Sequence, residues 1–210
     1  MIQRYYIESD GRIFLIRRDG WLDLPTREDI PFEFDEIAPL AVAGVSYCAP
    51  HLDKHPAEWR SKDTVAVDPD VAALVREAVH ATMPRVVTEG IFLRRDGLVL
   101  VLKGSRGLTK DRWTLPGGFV RFGEGPEDGL LREIREELGV SARILSLLAV
   151  RSKLGANTKL HWTQFFYRVL LNGEICPNPD EISEARFVEP QHAIDLLSDP
   201  IMRDVIQSLL

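Results

Sequence analysis

The chain has 210 residues, a formal net charge of −6 and 45% apolar residues. That suffices for one large domain, or a small one and a medium one, with an ordinary core. The acidic balance argues against a nucleic-acid partner, which needs basic patches, and no apolar run approaches the length of a membrane span. Cys48 and Cys176 are too few and too far apart to frame the fold with disulfides. The opening MIQRYYIESD has no hydrophobic signal region, so a cytoplasmic protein without a membrane partner is expected.

Residues 2–8 and 13–17 read as strands around Asp10-Gly11, an Asp-Gly pair between β-formers that signals a hairpin. A second such pair, Asp19-Gly20, follows. Residues 21–34 read as irregular, punctuated by Pro25 and Pro31. The small apolar run 38–45 reads as a strand, and 46–68 as loop with a short helical turn. Asp68-Pro69 has the form of a helix start, and Val71, Leu74, Val75 and Val79 recur at helical spacing up to about Thr82. This helix is the expected link between a β-rich unit, 1–84, and a second domain, 85–210. Cys48, His51 and His55 are metal-binding types without a clear fourth ligand, so zinc is not expected there.

From Arg85 the grammar changes. Strands are predicted at VVTEGIFLR and LVLVLK, on either side of Asp96-Gly97. A polar loop, 104–112, then leads through WTLPGGFV into GFVRFGEGPEDGLLREIREELGV, residues 118–140. Strands at 143–150 and 161–171, a turn at Asn172-Gly173, a short strand ARFVE, a helix from Pro190 and a final amphipathic helix complete the chain. On a helix of about 100° per residue, Glu133, Glu136 and Glu137 share one face, and Leu130, Leu131, Ile134 and Leu138 share the adjacent one. The apolar stripe would anchor the helix, and Gly139 would close it. Solvated glutamates paired to Arg132 and Arg135, worth a few tenths of a kcal/mol, are the plain alternative. That alternative leaves Pro116-Gly117-Gly118, Glu124 and the spacing unexplained. Three close carboxylates disfavour one another's ionised form unless a cation sits among them. Oxygen-only donors suit Mg²⁺ or Mn²⁺, and Mg²⁺ favours sites shared between carboxylates and substrate phosphates.

Gly118, Glu124, Arg132-Glu133, Ile134, Glu136-Glu137 and Gly139-Val140 stand at the spacing of the Nudix box, and the protein resembles the Nudix hydrolases. Seven fixed identities at background frequencies of about 5–7% coincide on the order of once in a billion starts, so the pattern is specific. The resemblance in element order covers about residues 86–210 and the motif itself 117–140. It implies an α/β fold, the Nudix α/β/α sandwich around a mixed sheet, here preceded by the β-rich N-terminal unit and linking helix.

The resemblance also implies roles. Glu133, Glu136 and Glu137, with the carbonyl of Gly117, would be the metal ligands. Arg132 would orient the acids, and Glu124 would be the outer glutamate of the box. The water-activating group in relatives is either a box glutamate or an acid in a late loop. Glu133 is favoured here, and Glu181 is the runner-up within a loop that also carries Asp180 and Glu184. Independently of the resemblance, Lys103, Arg106, Lys110 and Arg112 in the loop before the box are either solvated loop charges or cations that hold a substrate diphosphate, with Arg106, Lys110 and Arg112 the chosen contacts. Trp113 is expected to pack rather than stack a base.

The implied activity is Mg²⁺-dependent hydrolysis of a nucleoside diphosphate linked to another moiety, ADP-ribose or a nucleotide sugar first. The alternatives are hydrolysis of (deoxy)nucleoside triphosphates or dinucleoside polyphosphates and, in a different class, a nucleotide-sensing regulatory module. The proline that marks ADP-ribose pyrophosphatases beyond the box is absent, where this sequence reads GANTK. N-terminal extensions in such enzymes often dimerise, so a homodimer is expected.

Overall fold

The computed structural model describes residues 2–54 and 56–210. They form two compact units, Met1–Pro84 with Leu154–His161, and Arg85–Lys153 with Trp162–Leu210.

The first unit runs β1 (Arg4–Ser9), β2 (Arg12–Ile13), β3 (Ile16–Arg18), β4 (Trp21–Asp23), β5 (Phe34–Pro39), β6 (Val45–Pro50), β7 (Arg60–Ser61), α1 (Lys62–Val65) and α2 (Ala73–Thr82). Its larger sheet has the order β5-β6-β1-β2-β7, with β1 and β6 parallel, and β3 and β4 form a separate hairpin. Both Asp-Gly pairs lie at positive φ, as tight hairpin turns require. Tyr6, Ile13, Val45, Val71, Val75 and Val79 bury one face of α2 against the sheet.

Four expectations are corrected here, the first being that 46–50, read as loop, lies in β6 between β1 and β5. The irregular stretch 21–34 contains β4, paired to β3. The apolar run 38–45 is mostly the connection between β5 and β6 rather than a strand. The helix begins at Ala73, not Pro69. The N–H of Leu22 donates to Asp70 O and the N–H of Ala72 to Leu22 O, which commits the backbone of 70–72 to strand-like pairing. The Asp68 carboxylate accepts from the N–H of Asp70, a local turn instead of a cap. Of the zinc-type residues, Cys48 is fully buried and His51 pairs with Asp35, while His55 lies outside the described residues.

The second unit runs β8 (Arg85–Phe92), β9 (Val99–Gly104), β10 (Trp113–Thr114), β11 (Gly117–Phe119), α3 (Pro126–Leu138), β12 (Ser141–Leu154), β13 (His161–Asn172), β14 (Ile182–Val188), α4 (Pro190–Leu196) and α5 (Pro200–Gln207). The strands form a mixed sheet, β11-β8-β13-β12, with β8 parallel to β13, and an antiparallel one, β10-β9-β14. Strand β9 shows how the layers are built. Successive side chains point to opposite faces, so Leu100 and Leu102 pack with Leu130, Ile134 and Leu138 of α3. Val99 and Val101 pack on the other face with Ala193, Met202, Val205 and Ile206 of α4 and α5. Helices thus cover both faces of the strands, which is the expected α/β/α sandwich.

Candidate active site

Helix α3 starts at Pro126, whose fixed φ suits a first helical position. It ends at Gly139, a left-handed cap at φ 64°. Its apolar stripe, fully buried at Leu130, Ile134 and Leu138, fixes its rotation. The acidic stripe is thereby turned to the β11 edge.

At that edge Gly117 has φ 145°, a conformation that side chains rarely adopt, and a Cβ there would lie 2.0 Å from the carbonyl oxygen of Thr88. The resulting close approach aims the N–H of Gly117 at Glu137, which accepts it through Oε2 at 2.9 Å. Glu137 is 8% exposed. Burial pushes its carboxyl well above the usual range, the Gly117 N–H opposes this, and the nearby charges of Glu133, Glu181 and Glu136 reinforce it. Gly118 leaves room for the second acid: a Cβ there would stand 2.7 Å from Cδ of Glu133.

Arg132 holds the rest together. Its Nε donates to Oε1 of Glu124 and its Nη2 to Oε2, both at 2.9 Å. Its Nη1 reaches Glu133 at 2.6 Å and Glu136 at 3.1 Å, and Nη2 also donates to the carbonyl of Phe119 at 2.9 Å. The guanidinium is a planar fork of donors, suited to bridging several carboxylates at once. Glu124 also accepts from the N–H of Arg121, and these bonds, Arg132 first, hold its carboxyl down to about 2. Glu124 is therefore an anchor for Arg132.

The late loop is tied to the end of α3. The N–H of Cys176 donates to Leu138 O and that of Asn178 to Glu137 O. This brings Glu181 close enough for its charge to act on Glu137. Arg106 forms an ion pair with Glu181, so one of the chosen cations reaches the site loop. Lys110 and Arg112 are exposed and make no ion pair among the described residues. Asp180 contributes its backbone carbonyl, to Ser105, and Glu184 pairs with Arg186. Trp113 packs under the Arg186 guanidinium, 5.0 Å from the ring centroid.

One carboxylate went unremarked in the sequence. Glu89 in β8 is 6% exposed, its Oε2 has no hydrogen-bond partner among the described residues, and it pairs across the strands with Gly117. The available signal was an acid in the middle of a strand of mostly buried residues rich in β-formers. Among the described residues, no three His, Cys, Asp or Glu side chains converge closely enough to hold an ion as they stand. The box acids are turned instead to Arg132 and Gly117. Their chemistry nevertheless fits a hard divalent cation: the donors are all oxygen, one acid is buried, and a neighbouring buried carboxylate oxygen is unsatisfied.

A family model described as the NUDIX domain matches residues 83–209. The chain is 30% identical over 128 residues to an ADP-ribose pyrophosphatase of Methanocaldococcus jannaschii, covering 59% of this chain and 74% of that one. It is 32% identical over 111 residues to the nucleoside triphosphatase NudI of Salmonella paratyphi B, covering 47% and 78%. Relatives from Arabidopsis thaliana and Caenorhabditis elegans are matched over only 36% and 27% of their own lengths. Among solved structures, a MutT NUDIX hydrolase from Burkholderia pseudomallei superposes with a TM-score of 0.53 at 30% identity, covering 61% of this chain and 99% of that one. With the box set on α3 and the family model spanning more than half of its length, the chain belongs to the Nudix family.

Proposed function

We propose that this Nudix pyrophosphohydrolase cleaves the diphosphate of a nucleoside diphosphate joined to a second moiety, with ADP-ribose or a nucleotide sugar as substrate. The observation that carries the reading is the setting of Glu133 and Glu136 on Arg132 and of Glu137 on the Gly117 N–H, with Glu181 near enough for its charge to act on Glu137. The similarity to an ADP-ribose pyrophosphatase supports the choice of substrate. Glu133, Glu136 and Glu137, with the Gly117 carbonyl, would hold a divalent cation, Mg²⁺ before Mn²⁺. When bound, the cation neutralises charge on the diphosphate and makes water a better nucleophile at neutral pH.

The chain's own groups do the rest. The Gly117 N–H fixes one carboxylate oxygen of Glu137, which orients the group that would help to hold the cation. Arg132 sets the directions of Glu133 and Glu136. Glu133 accepts the proton of the attacking water, with Glu181 the alternative acceptor. The water oxygen bonds to one phosphorus as the bridging P–O bond breaks, and the electron pair leaves with the second phosphate. Arg106, Lys110 and Arg112 supply positive charge to the departing phosphate. Residues 85–210 form the hydrolase domain and 1–84 an extension, in a cytoplasmic homodimer.

Nucleoside triphosphates are the second reading, favoured by the similarity to NudI. A nucleotide panel with Mg²⁺ and product identification tests both. AMP and ribose 5-phosphate from ADP-ribose are expected. Pyrophosphate release from triphosphates alone would select the second reading, and silence with tight binding of one nucleotide would mark a sensor.

A further inference from the structure

We propose that Glu89 of β8 is a further carboxylate facing the divalent cation, so that the cation-binding set draws on the sheet as well as on α3. This rests on the reading that the box acids hold such a cation. The first support is an unsatisfied atom. Oε2 of Glu89 is buried with no partner among the described residues, and leaving such an oxygen unpaired is costly unless a ligand completes it.

The second support is position. Glu89 lies across from Gly117, the residue whose N–H holds Glu137. Its neighbour Gly90 faces α3, since a Cβ there would meet Leu130 and Ile134, so Glu89 projects from the other face of β8. Its largest electrostatic neighbour is nonetheless Glu137, followed by Asp199, Lys153 and Glu133. Gly117, opposite Glu89 on the edge strand β11, has no side chain and donates its N–H to Glu137.

The third support is charge balance. Lys153, the one cation among those neighbours, is engaged by Asp199, which also accepts from Gln164 and caps α5 through the N–H of Ile201. Arg132 is engaged by Glu124, Glu133 and Glu136. Glu89 and Glu137 are thus electrostatic neighbours, and the one cation near Glu89, Lys153, is shared with Asp199. Two buried carboxylates whose charge is only partly offset match a hard divalent ion in chemical type.

The test is direct cation binding without substrate, by Mn²⁺ electron paramagnetic resonance and Mg²⁺ calorimetry, on wild type, Glu89→Gln and Glu137→Gln. Both variants should lose affinity by about tenfold or more. Glu89→Gln should melt in EDTA no lower than wild type while losing most of the cation-dependent rise in Tm. Wild-type affinity in Glu89→Gln, with affinity lost in Glu137→Gln, would overturn this proposal and leave the box reading standing. Wild-type affinity in both would overturn both. Should Glu89→Gln fail to fold, Glu89→Asp keeps the charge but withdraws it by one methylene. Weaker binding than wild type then supports the proposal, and unchanged binding overturns it.

Discussion

Adjacent glycines at the start of the box have different jobs, and alanine should separate them. At Gly117 the added Cβ meets backbone, the Thr88 carbonyl oxygen at 2.0 Å, at φ 145°. Neither the strained dihedral nor the collision is relieved unless β11 parts from β8. A residue forced into that region costs about 1–3 kcal/mol before the collision is counted, so Gly117→Ala should lose about 3 kcal/mol or more. At about 2–4 °C per kcal/mol for a chain of this size, Tm falls by about 6–12 °C. At Gly118 the nearest atoms to the added Cβ belong to the carboxyl end of the flexible Glu133 side chain, Cδ at 2.7 Å, whereas ordinary contacts begin at 3.4 Å. Glu133 yields by about 1 Å, stability changes by less than about 1 kcal/mol, and a misplacement of that size lowers turnover about 10²-fold. Thermal melts paired with ADP-ribose turnover read both effects. Gly118→Ala melting as low as Gly117→Ala, or retaining full turnover, would refute this reasoning.

Further outcomes follow from the same geometry. If Glu133 is the proton acceptor, Glu133→Gln should lower kcat by about 10²–10⁴-fold and Glu181→Gln by far less; the reverse order of kcat values would exchange their roles. The carboxyl of Glu124 is held at about 2 against an ordinary 4.5. A depressed folded pKa stabilises above the unfolded value and is lost as pH falls through the folded one. Tm should therefore drop between pH 4.5 and 2 more steeply in wild type than in Glu124→Gln, and parallel acid profiles would contradict the anchor role. Burial, then Glu36, pushes the Cys48 thiol up to about 12, while Cys176 is exposed. A thiol reagent at neutral pH should titrate one cysteine in the native protein and two after denaturation, and two fast native thiols would contradict the buried placement.

The box was legible because its information is local. Leu130, Ile134 and Leu138 at helical spacing, the glycine cap and the acids within one turn of each other all lie inside one short stretch. The sandwich followed from strands whose apolar runs are clear, such as 99–102. The first unit was less legible because its sheet is made by distant partners. β1 pairs with β6, forty-one residues on from Arg4 to Val45, and no periodicity in 38–45 announces that the apolar residues there form a connection. Leu22 captured the residues that looked like a helix start, again through contacts remote in sequence. Glu89 was passed over because a single acid in a strand reads as an outward-facing residue until both faces are seen to be covered. The link from Asn178 to the end of α3, which brings Glu181 to the box acids, is equally invisible before folding.

The central claim is that the box acids carry the hydrolysis. Hydrolysis of ADP-ribose in Mg²⁺ by wild type and Glu137→Gln tests it most directly, since glutamine keeps an oxygen to accept the Gly117 N–H and so preserves the fold. Wild type should yield AMP and ribose 5-phosphate, and the variant should turn over about 10²–10⁴-fold more slowly with an unchanged Tm in EDTA. Near-wild-type hydrolysis by a folded Glu137→Gln would contradict it.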